Sequence, residues 1–338
     1  MAAADLIDRL GQALSISMEN RSEEVSDLVS NANILLYMMK EKDQFEEYTG
    51  PSIRETLMTS LIGGGKWYDG FETWDLRPAS IVQDAEWVPA SLVVPTTISG
   101  TDIMDNAGKA QLKSIIKIHR DAADSEMMNM FNLALHSNGL GFGGKQLTGL
   151  QAAIPTVATS GVYAGIDRAT QPLWRTAIYD AQTSFAGVTQ VTAATIRAIF
   201  ERIVIERSVG KNGPNLILAD QNHYLAFSSA LAAIQRITTE GKMAKLGFAT
   251  LMFQGGGRQI EVALEGGQGT NMPADTSYFI DTKSLKVRYH KDRYFKPFGG
   301  QRSPVNQDAV IVNMGFRGQL TMTNPRHMAK LIDSNPAT

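Results

Sequence analysis

The chain has 338 residues, of which 43% are hydrophobic and 20% charged, enough apolar material for about two domain-sized units. It contains no cysteine, which excludes disulfide stapling and thiolate metal sites and fits assembly in a reducing cytoplasm. Its 32 basic and 34 acidic side chains leave a formal charge of −2 and are well mixed along the sequence, so no basic stripe stands out to grip phosphates.

The N-terminal run MAAADLIDRLGQAL has no basic region followed by an apolar core, and no window approaches the roughly 18 apolar residues of a membrane helix. Neither export nor membrane insertion is expected. Residues 22–47 place Val25, Leu28, Val29, Ala32, Leu35, Leu36 and Met39 at helical spacing, with Ser22 as N-cap and Glu23 and Glu24 in the first turn. The residues before them read as a mobile arm, and Thr49-Gly50-Pro51 ends the helix.

Residues 52–60 form a short element, and Gly63-Gly64-Gly65 reads as a hinge. Two strand-rich runs follow, 66–76 and 81–99. Pro89 and Pro95 demote the second to an edge or protruding position. Trp67, Trp74 and Trp87 lie in this stretch, and a two-stranded ribbon cannot bury three indoles by itself, so these rings are expected to pack on something else.

Residues 102–137 give the longest helical signal, with Leu112, Ile115, Ile116, Ala122, Ala123, Met127, Met130 and Ala134 on one side. About 35 residues would reach roughly 50 Å. Gly108 weakens the first turns, which moves the regular start toward Lys109, and the glycines of 139–144 end the helix. From 149 to 264 the pattern is a compact α/β unit with helices at 173–184, 192–209 and 221–237 and a buried strand at 214–219. TSYFIDTKSLKVRYHK reads as a hairpin turning at Thr282-Lys283-Ser284. DAVIVNMGFRGQLTMTNP reads as another, turning between Gly315 and Gly318.

Catalytic motifs fare poorly. The run GLGFGGKQ (139–146) matches the G-x-x-x-x-G-K part of a phosphate-binding loop, but Gln146 stands where Ser or Thr would ligate Mg²⁺ and a helix precedes it instead of a strand. The five histidines (His119, His136, His223, His290, His327) lack metal-site spacing, and Ser160-Gly161 is no nucleophile elbow. The paired carboxylates Glu23/Glu24 and Glu46/Glu47 fit a solvated helix face. No enzyme activity, cofactor or metal is expected. A nucleotide-binding α/β enzyme using GLGFGGKQ is the minor alternative.

The segment GLQAAIPTVATSGVYAGIDRATQPLWR (149–175), placed after the long helix and glycine loop, resembles the GL-x-A-x-(I/V)-P … Y-x-GIDRAT … (W/F)-R signature of major capsid proteins of tailed bacteriophages, which share the Hong Kong ninety-seven-like fold. The same order of parts runs through most of the chain, including YFIDTKSLKVRYHKDR and QDAVIVNMGFRGQLTMTNPR near its end. The resemblance implies an α+β capsid fold: an N-terminal arm at 1–50, a peripheral domain with spine helix at 51–62, 99–148 and 282–338, an extended β-hairpin loop at 63–98, and an α/β axial domain at 149–281.

It further implies a structural subunit assembling into hexamers and pentamers of an icosahedral head that encloses double-stranded DNA without sequence-specific binding. Portal and scaffolding or decoration proteins are the implied partners. The implied location is the virion, after assembly in the bacterial host cytoplasm. An encapsulin-like nanocompartment shell is the nearer alternative. Residues expected at subunit interfaces are Lys66, Trp67, Tyr68, Phe71, Trp74, Trp87, Asp167, Arg168 and Trp174. Some relatives carry a lysine–asparagine cross-link between subunits, for which Lys66 is the candidate donor, though the acid and acceptor residues have no match here.

Overall fold

A computed structural model describes residues 33–58, 61–63, 65–74, 80–101, 109–232, 251–265, 272–302 and 308–336. Four helices of eight or more residues are present among them: α1 (Ile34–Glu41), α2 (Lys109–Leu135), α3 (Ile196–Arg207) and α4 (Gln221–Ala232). The strands, in chain order, are β1 (Phe45–Tyr48), β2 (Ile53–Met58), β3 (Val82–Trp87), β4 (Ala90–Ser99), β5 (Val162–Tyr163), β6 (Ile166–Asp167), β7 (Ala177–Asp180), β8 (Leu216–Ala219), β9 (Leu251–Gly255), β10 (Arg258–Leu264), β11 (Thr276–Ile280), β12 (Leu285–His290), β13 (Lys296–Arg302), β14 (Ala309–Met322) and β15 (Ala329–Ile332).

Helix α1 begins where the Asn33 side chain accepts the Leu36 amide at 3.2 Å, and it buries Ile34, Leu35, Leu36, Met38 and Met39. It stops at Glu41, before a left-handed Asp43, and the chain then enters β1. The expected helix over 22–47 is therefore shorter at its C-terminal end: Glu46 and Glu47 lie on a strand. Ser22, Glu23 and Glu24 fall outside the described residues.

One sheet has the order β1-β12-β14-β13, with β4 on the free side of β14. The 14-residue β14 is its axis. β4 pairs with it at ten successive positions, from Ala90↔Gly318 to Ser99↔Ala309, while β12 and β13 share its other side. β4 thus belongs to this sheet and not to an extended loop over 63–98. Its place at an edge suits Pro95, which has no N–H to donate. No hairpin turns at Gly315 or Gly318. A Cβ on Gly318 would sit 2.4 Å from the Arg288 carbonyl oxygen and 2.7 Å from the Phe316 ring, so this glycine permits close approach inside a continuous strand.

Helix α2 covers one face of this sheet. At 27 residues it is about 40 Å long. Ala123, Met127, Phe131, Ala134 and Leu135 form its buried stripe, and the Phe131 ring meets Phe316 edge-on at 4.8 Å and Phe295 at 5.7 Å. The residues just before Lys109, Gly108 among them, lie outside the described residues.

The second sheet has the order β7-β15-β11-β8-β10-β9. Its central strands, LILA in β8 and TSYFI in β11, are buried at every position, as continuous apolar runs require when both faces are covered. Phe200 of α3 anchors the packing against Phe227, Phe253 and Phe279, with ring centroids 5.5, 6.0 and 5.2 Å away. The segment 173–184 is not one helix: only its last four residues, Ala181–Ser184, form a helical turn, after a strand. A single turn at Pro172–Trp174 leads into β7, which pairs in parallel with β15. Because β15 lies in this sheet, the chain's C-terminal part returns to the α/β unit and does not end in the peripheral one.

β11 and β12 are likewise not a hairpin, since they belong to different sheets. The turn Thr282–Ser284 carries the chain across, capped by Asp281, whose carboxylate accepts from the Lys283 amide and the Ser284 hydroxyl. Asn215 holds Thr282 through both its amide and its hydroxyl, at 3.0 and 2.8 Å. A second joint is polar and buried. Glu265 accepts from the Asn33 side chain at 2.8 Å and stands 3.0 Å from His136 Nε2, so three segments far apart in sequence meet on one carboxylate.

Candidate assembly surface

β2 and β3 form a separate antiparallel ribbon, in register from Ile53↔Trp87 to Met58↔Val82. Ile53, Ala85 and Trp87 are buried at its base, where the Glu86 amide donates to the Ala164 carbonyl at 2.9 Å. Polar pairs cross the strands, Arg54 with Glu86 at 3.1 Å and Thr56 with Asp84 at 2.6 Å, and the outermost registered pair, Met58 and Val82, is apolar and exposed. Six-residue strands carry the chain about 20 Å from the base. The run 66–76, expected as a strand, is irregular over its described residues, 66–74.

Along that irregular run Trp67 and Phe71 are fully exposed, at 102% and 105%, and Tyr68 and Trp74 remain exposed although their rings touch edge-on at 5.4 Å. Lys66 pairs with Glu72 at 2.8 Å on the surface. These five expected interface residues are thus brought together.

Trp87, Arg168 and Trp174 are corrections. Each is only 3% exposed, so none is available to a neighbour. They build an internal knot around Tyr163, which meets Trp87 edge-on at 6.2 Å and stacks on Trp174 at 6.1 Å. The Trp174 indole donates to the Tyr163 carbonyl at 3.1 Å. Arg168 lies 5.1 Å from the Tyr163 ring centroid and donates to the carbonyls of Ala152 and Ala153 at 3.0 and 2.8 Å, satisfying oxygens that the single helical turn Leu150–Ala153 leaves open. Burial pushes the Tyr163 phenol up to about 12 and draws the Arg168 guanidinium down. Asp167, half-buried, accepts the Ala169 amide at 2.9 Å.

A concave surface lies between β4 and α2. A cavity of about 260 Å³ is lined by Val93 of β4, Met130 and Phe131 of α2, Phe142, Lys145 and Phe316 among others. The glycine loop forms its rim. Phe142, Gly143 and Gly144 are all left-handed, at φ 53°, 69° and 78°, and the next helical turn is only four residues long, so no helix N-terminus faces a phosphate here. Gly149 is required for packing: a Cβ would stand 2.2 Å from the Leu135 carbonyl oxygen.

Sequence reasoning missed the clamp at the ribbon's base. Arg288 reaches Glu55 of β2 at 3.1 Å and Glu46 of β1 at 3.2 Å, and Lys286 reaches Glu46 at 2.5 Å. Partners more than 200 residues apart leave no local signal. Among the described residues no group of three or more His, Asp or Glu side chains is placed to hold a metal ion, and no helix is long and apolar enough to cross a membrane.

No protein-family model and no curated protein matches the sequence. Solved structures do match. The capsid asymmetric unit of cyanophage A-1(L) aligns with a TM-score of 0.62 at 16% identity, over 86% of this chain and 90% of that one. The capsid of a native GTA particle aligns with a TM-score of 0.52 at 9% identity, over 87% and 90%. Identities this low speak to fold and not to chemistry. Ribbon, spine helix and paired sheets together thus identify the architecture: this chain has the α+β fold of phage capsid proteins.

Proposed function

We propose that the chain is a major capsid protein, a structural subunit without catalytic activity that assembles into a closed shell. The observation that carries this reading is the ribbon tip, where Trp67 and Phe71 stand fully exposed at the end of an arm clamped to its own sheet by Arg288. A monomer gains nothing from presenting two such rings to water. A neighbour that covers them gains several kcal/mol per indole, at about 25 cal/mol per Å², before ordering costs.

The tip and the surfaces near the ribbon's base are different patches of one molecule, so a tip-to-neighbour contact is head-to-tail. Contacts of that kind close into rings when the rotation allows. Rings of six and five copies would then form an icosahedral head around double-stranded DNA, with portal and scaffolding or decoration proteins as further partners. The subunit would belong to the virion after assembly in the host cytoplasm.

Electron microscopy of the chain expressed alone and with its neighbouring genes tests this. Closed polyhedral shells or hexamer sheets are expected. A uniform monomer or dimer under both conditions overturns the reading, and shells that enclose protein cargo in place of DNA point to a nanocompartment.

A further inference from the structure

The open face of the five-stranded sheet gathers cations that the sequence scatters. Residues directly opposite on neighbouring strands share a side of the sheet, and so do alternate residues on one strand. Arg288 stands opposite Gln319, and Lys296 and Phe298 stand opposite Gly315 and Asn313. Arg288, Lys296, Phe298 and Arg317 therefore point the same way. The opposite face, carrying Val312, Met314 and Phe316, is buried beneath α2. On the open face Ser91, Val93, Pro95 and Thr97 of β4 are exposed.

The charge on this face is not balanced locally. Residues 285–298 hold five Lys or Arg (Lys286, Arg288, Lys291, Arg293, Lys296) against one acid, Asp292, although the whole chain is at −2. Lys286 and Arg288 are neutralised by Glu46 and Glu55. Among the described residues, Lys291, Arg293 and Lys296 have no carboxylate within ion-pair reach, and Arg317 is hydrogen-bonded to the neutral hydroxyls of Tyr48 and Ser91. Arg293 lies 3.5 Å from the Phe298 ring centroid, a stacking that orders the guanidinium and leaves its N–H edge open to a further acceptor.

Four of the ribbon's described carboxylates are already engaged, Glu86 with Arg54, Glu72 with Lys66, Asp84 with Thr56 and Glu55 with Arg288, and the fifth, Asp69, accepts the Gly70 amide, so the ribbon of a second copy offers these cations few free partners. We propose that this open sheet face, together with the adjoining turn Lys291–Arg293, binds the phosphate backbone of nucleic acid through Lys291, Arg293, Lys296 and Arg317, without reading base sequence. Phosphate contacts of this type fix position and carry no sequence information. The source of the nucleic acid, an enclosed genome, rests on the shell reading; the binding itself does not.

The test is fluorescence anisotropy of a short labelled DNA duplex with dispersed full-length subunits, titrated between about 50 and 200 mM salt. Four contacts predict a log–log salt slope of about −3 to −4, equal for two duplexes of unrelated sequence. Arg293→Gln with Lys296→Gln is expected to weaken binding by at least about 10-fold and to reduce the slope by about 2, while Lys211→Gln on a remote exposed turn changes neither. Should that double variant melt below the wild type, Lys291→Gln, outside the strands, replaces it with an expected loss of about 1 in slope. No salt-dependent binding, or variants with wild-type affinity and slope, overturns the proposal. So does a polyglutamate peptide that competes through the same residues, which would assign the face to an acidic protein segment. DNA binding without shells counts against the shell reading alone, and shells whose subunits ignore DNA count against this face alone.

Discussion

The ribbon tip and the Tyr163 knot use the same side chains in opposite ways. Both are built from indoles, phenols and a cation, yet Trp67 is 102% exposed while Trp87 and Trp174 are 3% exposed. The knot surrounds its rings with backbone: a carbonyl takes the Trp174 N–H, and Arg168 satisfies two more carbonyls beneath the stack. The tip has no second layer of chain to lie on, because a two-stranded ribbon offers one pair of strands and two solvent faces. Aromatic residues alone therefore do not mark an interface; what marks one is an aromatic group that its own chain has no means of covering.

The contrast breaks most decisively if the tip is dispensable. Trp67→Ala combined with Trp74→Ala is expected to abolish shells in electron micrographs while leaving the subunit's urea unfolding within about 0.5 kcal/mol of wild type. Normal shells would remove the tip from the assembly reading. Trp174→Ala should act in the reverse sense, costing the subunit about 3–5 kcal/mol in the same unfolding measurement, through the cavity and the lost Tyr163 hydrogen bond. A loss below about 1 kcal/mol would show that the knot is decoration. Gly149→Ala, which drives a Cβ into the Leu135 carbonyl under the knot, is expected to cost about 1–3 kcal/mol, with no such cost at the open Gly70 of the ribbon tip.

The smallest effect concerns pH and the second sheet. Burial holds the His223 imidazole below its ordinary value of 6.5, with its Nδ1 2.8 Å from the Ser277 hydroxyl. The folded chain takes up this proton less readily than the unfolded one, so the stability it contributes is complete above about 6.5 and falls as pH drops through that value toward the folded pKa. The slope cannot exceed about 1.4 kcal/mol per pH unit for one group. Thermal melts of wild type and His223→Gln between about pH 7 and 5 should diverge by less than this; parallel curves would mean that other groups set the acid response.

Much of the local structure was legible because its causes are local. Helical spacing marked α2, and the glycines of 139–144 marked its end. The exposed tip was readable from Trp67 and Trp74 in a stretch too thin to hide them, whereas Trp87, read together with them, is buried at the ribbon's base. What the sequence hid is long-range register. Gly315 and Gly318 look like a turn, but they serve close strand packing, which depends on Phe298, Arg288 and Phe316 being opposite or adjacent. Thr282-Lys283-Ser284 looks like a hairpin turn, but β11 and β12 are drawn into different sheets by their neighbours β8 and β14. Arg168 and Trp174 drew notice as a motif, and only the fold reveals that the motif faces inward.

β3 runs through Val88-Pro89 directly into β4, and β4 lies antiparallel to β14 along ten registered pairs. A pull on the ribbon tip therefore loads β4 along its own axis, in shear. The hydrogen bonds to β14 then resist together, whereas a force perpendicular to the strands would open them one after another, like a zipper. β14 is held in turn by β12 and β13 on its other side, so the load spreads into a sheet backed by α2. The connection between ribbon and body is thus a mechanical anchor, oriented for tension applied by whatever grips the tip.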